Sequence, residues 1–135
     1  MMKNGIFIFM RYQMLLLLAG LLLSGCAAKL RVETDLYFGM AKPDGGMISN
    51  KEWYTFKSNH ISAVFKEGCT VVDVTGNWRD PASGKLITEP THMVVYIHKN
   101  LKPLSIQIDS LRNLYKTMFN QQSVLRVDKK VTASF

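Results

Sequence analysis

Few side chains in this sequence combine the types and spacing that chemistry requires. Arg79 ends the stretch Gly76-Asn77-Trp78-Arg79, just before Asp80-Pro81-Ala82-Ser83-Gly84. A guanidinium at such a strand–turn junction presents a planar fork suited to a carboxylate or a phosphate. Tyr37, Tyr96 and His92 are the groups that could move a proton beside it. The histidines do not make a metal site. His92 and His98 are six residues apart, about 20 Å along an extended strand, and His60 falls on an apolar helical stripe. No metal centre and no cofactor are therefore expected. The sequence has no nucleophile elbow, paired-histidine zinc helix, CxxC pair or phosphate-cradling glycine loop. Gly45-Gly46 lacks a following Lys-Ser/Thr and serves a turn. Cys69, in Gly68-Cys69-Thr70-Val71-Val72, reads as a small buried residue opening a strand, without the base that a reactive thiol needs.

The other cysteine stands where a greasy run stops. Residues 14–23 read MLLLLAGLLL, with Lys3 and Arg11 before them and Ser24-Gly25-Cys26 after them. A spanning helix wants roughly 20 apolar residues. This run has the length and flanks of a signal-peptide core. Leu23-Ser24-Gly25-Cys26 resembles the lipobox of bacterial lipoproteins. The resemblance implies a signal peptide over residues 1–25, cleaved before Cys26. It also implies a Cys26 thiol carrying acyl chains such as palmitate, and a lipidated tether over residues 26–30. Ala27, not aspartate, follows the cysteine, which in that class favours the outer membrane over the inner one. The expected location is the periplasmic face of the outer membrane, with the membrane itself as the first partner.

Cleavage would remove Lys3 and Arg11 and leave 110 residues, carrying 15 of the 17 basic side chains and all 10 acidic ones. A basic surface of this kind suits an envelope rich in anionic lipid and polymer. Nucleic acid is not expected as a partner of an exported chain. With Cys26 acylated, Cys69 has no thiol to pair with, so no internal disulfide is expected.

Residues 31–135 read as one α+β domain. RVETDLYFGM, residues 31–40, alternates Val32, Thr34, Leu36, Phe38 and Met40 against Glu33, Asp35 and Tyr37, the pattern of a strand with one buried face. Ser49-Asn50-Lys51-Glu52 is a capping box, and Trp53, Phe56, His60, Ile61 and Val64 recur behind it at helical spacing. Two strands follow, Cys69 to about Arg79 and about Leu86 to His98, joined by the Asp80–Gly84 turn. Pro103 opens a second helix with the stripe Leu104, Ile108, Leu111, Tyr115 and Met118. In the last strand Leu125, Val127, Val131 and Ala133 are expected inward, and Arg126, Asp128, Lys130 and Thr132 outward. The order β-α-β-β-α-β predicts a ferredoxin-like split fold: one four-stranded antiparallel sheet with both helices on one face.

The stretches Leu36-Tyr37-Phe38-Gly39, Trp53-Tyr54-Thr55-Phe56, Gly76-Asn77-Trp78-Arg79, Glu89-Pro90-Thr91 and Phe119-Asn120-Gln121-Gln122-Ser123-Val124-Leu125 resemble the bacterial family catalogued as domain of unknown function 3574. The resemblance covers about residues 35–135. It implies an exported, often lipid-anchored protein and brings no activity with it. An aliphatic residue is expected where this chain has Cys69.

Chemistry is then left to the sheet face that the helices do not cover. Period-two counting places Glu33, Asp35, Tyr37, Asp73, Thr75, Asn77, Arg79, His92, Val94, Tyr96, His98, Arg126 and Asp128 there, and Trp78 under the helices. Such a face is solvated, or pairs with a second copy, or forms the floor of a ligand pocket. The ligand-binding candidates are Arg79, Tyr37, Tyr96, Arg126 and Asn77. The first expectation is a non-enzymatic envelope lipoprotein, a small binding or interaction module; a homodimer through this face is the second of the three readings, after the solvated one. The alternative is a small periplasmic enzyme using Tyr37, His92, Tyr96 and Arg79 on an anionic small molecule.

Overall fold

The elements follow one another in the expected order. In the computed structural model, which describes residues 29–134, β1 (Lys29–Gly39) leads to a first helix and then to a hairpin of β2 (Thr70–Arg79) and β3 (Leu86–His98). A second helix and β4 (Leu125–Ala133) complete the chain. Leu30–Val131 forms one compact unit. The expected signal peptide and Cys26 lie outside the described residues. The strands make one antiparallel sheet in the order β2-β3-β1-β4, with both helices on one face. That is the ferredoxin-like arrangement.

Local chemistry sets the helix ends. The first helix, α1, begins with Asn50–Phe56. There the Ser49 hydroxyl accepts from the Glu52 N–H, and the Glu52 carboxylate accepts from the Ser49 N–H at 2.7 Å. The helix then widens into a π-helical turn over Lys57–Ile61 and closes with Ser62–Val64. The extra residue in that turn moves the apolar stripe. Trp53, Phe56, Ile61 and Phe65 are buried, whereas His60 and Val64 are only half-buried. The second helix, α2 (Lys102–Phe119), has Pro103 in its first turn and ends on Asn120 at φ 53°. Its buried stripe is Ile108, Leu111, Tyr115 and Phe119, and Met118, expected within it, is 48% exposed.

Phe38 is the centre of the core. Its ring lies 5.5 Å from Trp53, 5.9 Å from Phe56 and 4.7 Å from Tyr115, so it joins β1 to both helices. The Tyr115 hydroxyl donates to the Gly39 carbonyl at 2.8 Å. Burial, reinforced by the charges of Glu89 and Glu52, pushes that hydroxyl well above the usual phenol range.

The register corrects the face assignment of three strands. Phe38 pairs with His92, Leu36 with Val94, Thr34 with Tyr96 and Val32 with His98. Directly opposed residues share a face, so His92, Val94, Tyr96 and His98 lie on the helix side, not the uncovered side. In β2, Val71 pairs with Val94 and Asp73 with His92, which puts Asp73, Thr75, Asn77 and Arg79 on the helix side as well. They are exposed there because β2 is an edge strand. Trp78 lies on the uncovered face, where its indole donates to Glu89 at 2.9 Å. In β4, Arg126 and Asp128 bond to Ser105 and Thr34 on the helix side, so Leu125, Val127 and Val131 face the other way. The physical reason differs by strand: His92, His98, Arg126 and Asp128 find polar partners on the helix side, and the polar residues of β2 stay exposed at the sheet edge.

Cys69 also departs from expectation: it is exposed and precedes β2. Partial desolvation raises its thiol above the ordinary value against the pull of Lys57, the opposite of the shift that activates a thiol.

Trp53 packs on Phe38, Phe56 and Tyr115 and is 6% exposed. Trp53→Ala is expected to cost about 3–5 kcal/mol. Urea unfolding followed by circular dichroism measures it, and a loss under about 1 kcal/mol would contradict the packing described.

Candidate functional site

The candidate ligand residues do not converge. Arg79 is exposed at the end of β2, and its guanidinium donates to the Gly84 carbonyl at 2.6 Å, closing the hairpin. Asn77 is exposed and accepts from the Thr88 hydroxyl at 2.7 Å. Tyr96 is buried on the helix side, stacked against Phe65 at 4.2 Å and His98 at 5.0 Å. Burial, with the charges of Glu67 and Cys69, raises its hydroxyl above the ordinary value. His92 stacks on Trp53 at 4.4 Å and its Nδ1 meets Asp73 at 2.6 Å. Tyr37 stays on the uncovered face, half-buried and apart from the others. Arg126 alone belongs to a connected polar cluster.

That cluster joins β1, β3, β4 and the start of α2. The Thr34 hydroxyl donates to Asp128 Oδ1 at 2.5 Å and lies 2.9 Å from His98 Nε2. His98 Nδ1 lies 2.8 Å from the Lys99 carbonyl, which can only accept, so that nitrogen carries a proton. Thr34 has one hydroxyl proton and two neighbours. With the ring singly protonated, that proton can serve only Asp128 or His98. With both ring nitrogens protonated, every contact in the chain Lys99–His98–Thr34–Asp128 is a proper hydrogen bond. The geometry thus links an imidazole to a carboxylate through one hydroxyl, an arrangement able to pass a single proton between them.

Arg126 closes the cluster. Its Nε donates to Asp128 Oδ2 at 3.0 Å, its Nη1 to Asp109 at 3.0 Å and its Nη2 to the Ser105 hydroxyl at 3.0 Å. Burial works against ionisation of Asp128. Donation from Thr34 and Arg126, with the charges of Arg126 and His98, outweighs it and holds the carboxyl below its ordinary value. At Asp109, burial is likewise outweighed, by Arg112 and Arg126. A cavity of about 260 Å³ adjoins the cluster, walled by His98, Leu101, Ser105, Arg126, Asp128 and Lys130. Among the described residues no group of His, Cys, Asp and Glu could hold a metal.

Thr34, His98 and Asp128 were not read together from the sequence. The available signal was Thr34 itself, a hydroxyl within the stripe Val32, Thr34, Leu36, Phe38, because a buried hydroxyl requires a partner.

The family model described as "Protein of unknown function (DUF3574)" matches residues 33–135. The chain belongs to that family. No curated protein sequence matches it. Among solved structures, this DUF3574 domain is similar to a phage SAM lyase in complex with S-methyl-5'-thioadenosine. The TM-score is 0.57 and the identity 18%, over 76% of this chain and 90% of the lyase chain. A phage SAM lyase in its apo state matches with TM-score 0.57 and 15% identity, over 84% of this chain and 98% of that one. CutA from Synechococcus elongatus matches with TM-score 0.52 and 12% identity, over 83% and 87%. At these identities the likeness is one of fold.

The depressed carboxyls give the DUF3574 domain an acid-labile element. A carboxyl whose folded value lies below its unfolded one, near 4, contributes stability above about pH 4 that is lost as pH falls through the folded value. Asp128→Asn is expected to cost about 1 kcal/mol at neutral pH and to flatten the acid side of the stability profile. Urea titrations across the acid range check it; an unchanged acid limb would contradict the assignment.

Proposed function

We propose that this protein is an envelope lipoprotein whose folded domain binds or interacts and does not catalyse. The observation that carries the reading is Leu23-Ser24-Gly25-Cys26 closing an apolar run, with β1 beginning at Lys29. Three residues from Cys26 to Lys29 reach at most about 10 Å, so acyl chains on Cys26 would hold the domain close against the bilayer. Ala27 after the cysteine favours the periplasmic face of the outer membrane. Acyl chains contribute about 0.8 kcal/mol per buried CH₂, and more than one chain makes the attachment stable. The non-catalytic reading is supported by where the polar groups are spent. Arg79, Arg126, His92 and His98 each bond within the chain, and no candidate acid or base stands beside the Arg79 guanidinium.

A second reading has one observation in its favour. The linked His98, Thr34 and Asp128 stand beside a cavity that Arg126 also lines, an arrangement suited to a small anionic or polar molecule. The phage lyase of similar fold binds S-methyl-5'-thioadenosine, which makes that compound a suitable probe. A concentration-dependent rise in melting temperature, absent in Asp128→Asn, would favour a ligand site here.

The anchor is tested by intact-mass spectrometry of the protein extracted from membranes. The expected product begins at an acylated Cys26, and Cys26→Ala is expected to carry no lipid. An unmodified N-terminus at Met1 or Met2 would overturn the reading.

A further inference from the structure

The sheet face without helices is not the solvated polar surface that its expected composition implied. The register places Val72, Val74 and Trp78 of β2 there, with Met93, Val95 and Ile97 of β3. Tyr37 joins them from β1, and Val127 and Val131 from β4. No helix among the described residues lies on this face. An antiparallel sheet whose second face meets water alternates apolar and polar residues; here β2, β3 and β4 present mainly apolar residues to that side, and β1 presents Arg31, Glu33, Asp35 and Tyr37.

The charges on the face are few and balanced. Lys129 Nζ donates to Asp35 Oδ2 at 2.6 Å and to Glu33 at 3.0 Å, and Arg31 shares their side of β1 by parity. Lys29 also shares that side of β1 by parity, and Glu89 faces it from β3 beside Trp78, which makes three charges of each sign. Asp35 is 3% exposed, and its Oδ1 has no hydrogen-bond partner among the described residues. A buried carboxylate oxygen without a donor is costly. Two positions along the strand, on the same face, Tyr37 offers a hydroxyl for which no described residue is an acceptor.

We propose that copies of this chain associate through this face, with the Tyr37 hydroxyl of one copy donating to the Asp35 carboxylate of another. The pairing is reciprocal about a two-fold axis crossing β1 near Leu36, as an isologous contact requires. Balanced charge lets two such faces meet without net repulsion. Four strands of about ten residues offer a flat footprint of about 600 Å², and accessible area on a pleated face exceeds its footprint. A stable interface takes about 800 Å² from each partner. A bilayer is the poorer occupant, because hydrocarbon has no donor for Asp35. The proposal rests on the lipoprotein reading only in that the chain tested is the one processed before Cys26.

The test uses the full chain, processed in a bacterial envelope and extracted in mild detergent. Intact-mass spectrometry first establishes the N-terminus, so failure of the anchor reading is seen separately. Native mass spectrometry and sedimentation then give the oligomeric state. A closed oligomer is expected at micromolar concentration. Val95→Lys is expected to weaken it at least 100-fold, and Tyr37→Phe about tenfold. Tyr37→Phe removes only a hydroxyl, and its unchanged circular dichroism would show that the fold is intact. A monomer at about 100 μM, an oligomer indifferent to both substitutions, or an unacylated Cys26→Ala chain that binds neutral phosphatidylcholine vesicles through this face would each overturn the proposal.

Discussion

The contact of Phe38 with Trp53, Phe56 and Tyr115 fixes more of this structure than any other. β1 is a central strand, so the face that Phe38 turns to the helices decides the face of every residue paired with it. His92 is opposite Phe38 and must go under α1, where it stacks on Trp53. Tyr96 and His98 follow at period two. A one-residue slip would bury Asp35 and Tyr37 beneath the helices and expel Leu36 and Phe38. Aromatic packing at one position therefore sets the chemistry of both faces.

The fold was legible in the sequence because its signals are local. The capping box at Ser49, Pro103 at the start of α2 and the Asp80–Gly84 turn each act through neighbouring backbone groups, and all stand where expected. β1 was read correctly because its polar and apolar residues alternate cleanly. β3 and β4 were not, because counting assumed that histidine, tyrosine, arginine and aspartate face water. A polar side chain's face depends on partners distant in sequence. His98 pairs with Thr34 at a separation of 64 residues, and Asp128 pairs with Thr34 at 94. No local pattern carries that information. The π-helical turn over Lys57–Ile61 was invisible for a related reason: it serves the docking of Ile61 and Phe65 and has no proline or glycine to mark it.

The candidate site suffered most from the same error. Arg79, Asn77, Tyr96 and His92 were grouped with Tyr37 because a single parity rule put them on one face; the register turns these four to the helix side, away from Tyr37, and leaves them spread along β2 and β3. The cluster that does form draws Thr34 from β1, His98 from β3, Asp128 and Arg126 from β4, and Ser105 from α2. Every member has a partner, as the burial of Thr34 and His98 requires. Such a network specifies how β4 docks, because Arg126 ties that strand to the first turns of α2 through Ser105 and Asp109. Stability and any proton chemistry are supplied here by the same few groups.

Placing both helices on one side leaves the other face of the sheet to find its own cover. In a chain of this size, two short helices cannot wrap a four-stranded sheet, so its second face must be polar or be covered from outside. Here the polar residues were spent on the helix side: His92, His98, Arg126 and Asp128 all bond there. Valine, methionine and isoleucine occupy the opposite positions of the same strands. The polar network under the helices and the apolar face beyond them are thus one consequence of a single register. A face left apolar in this way, on which Asp35 Oδ1 has no donor among the described residues, is the surface on which the proposed pairing of two copies rests.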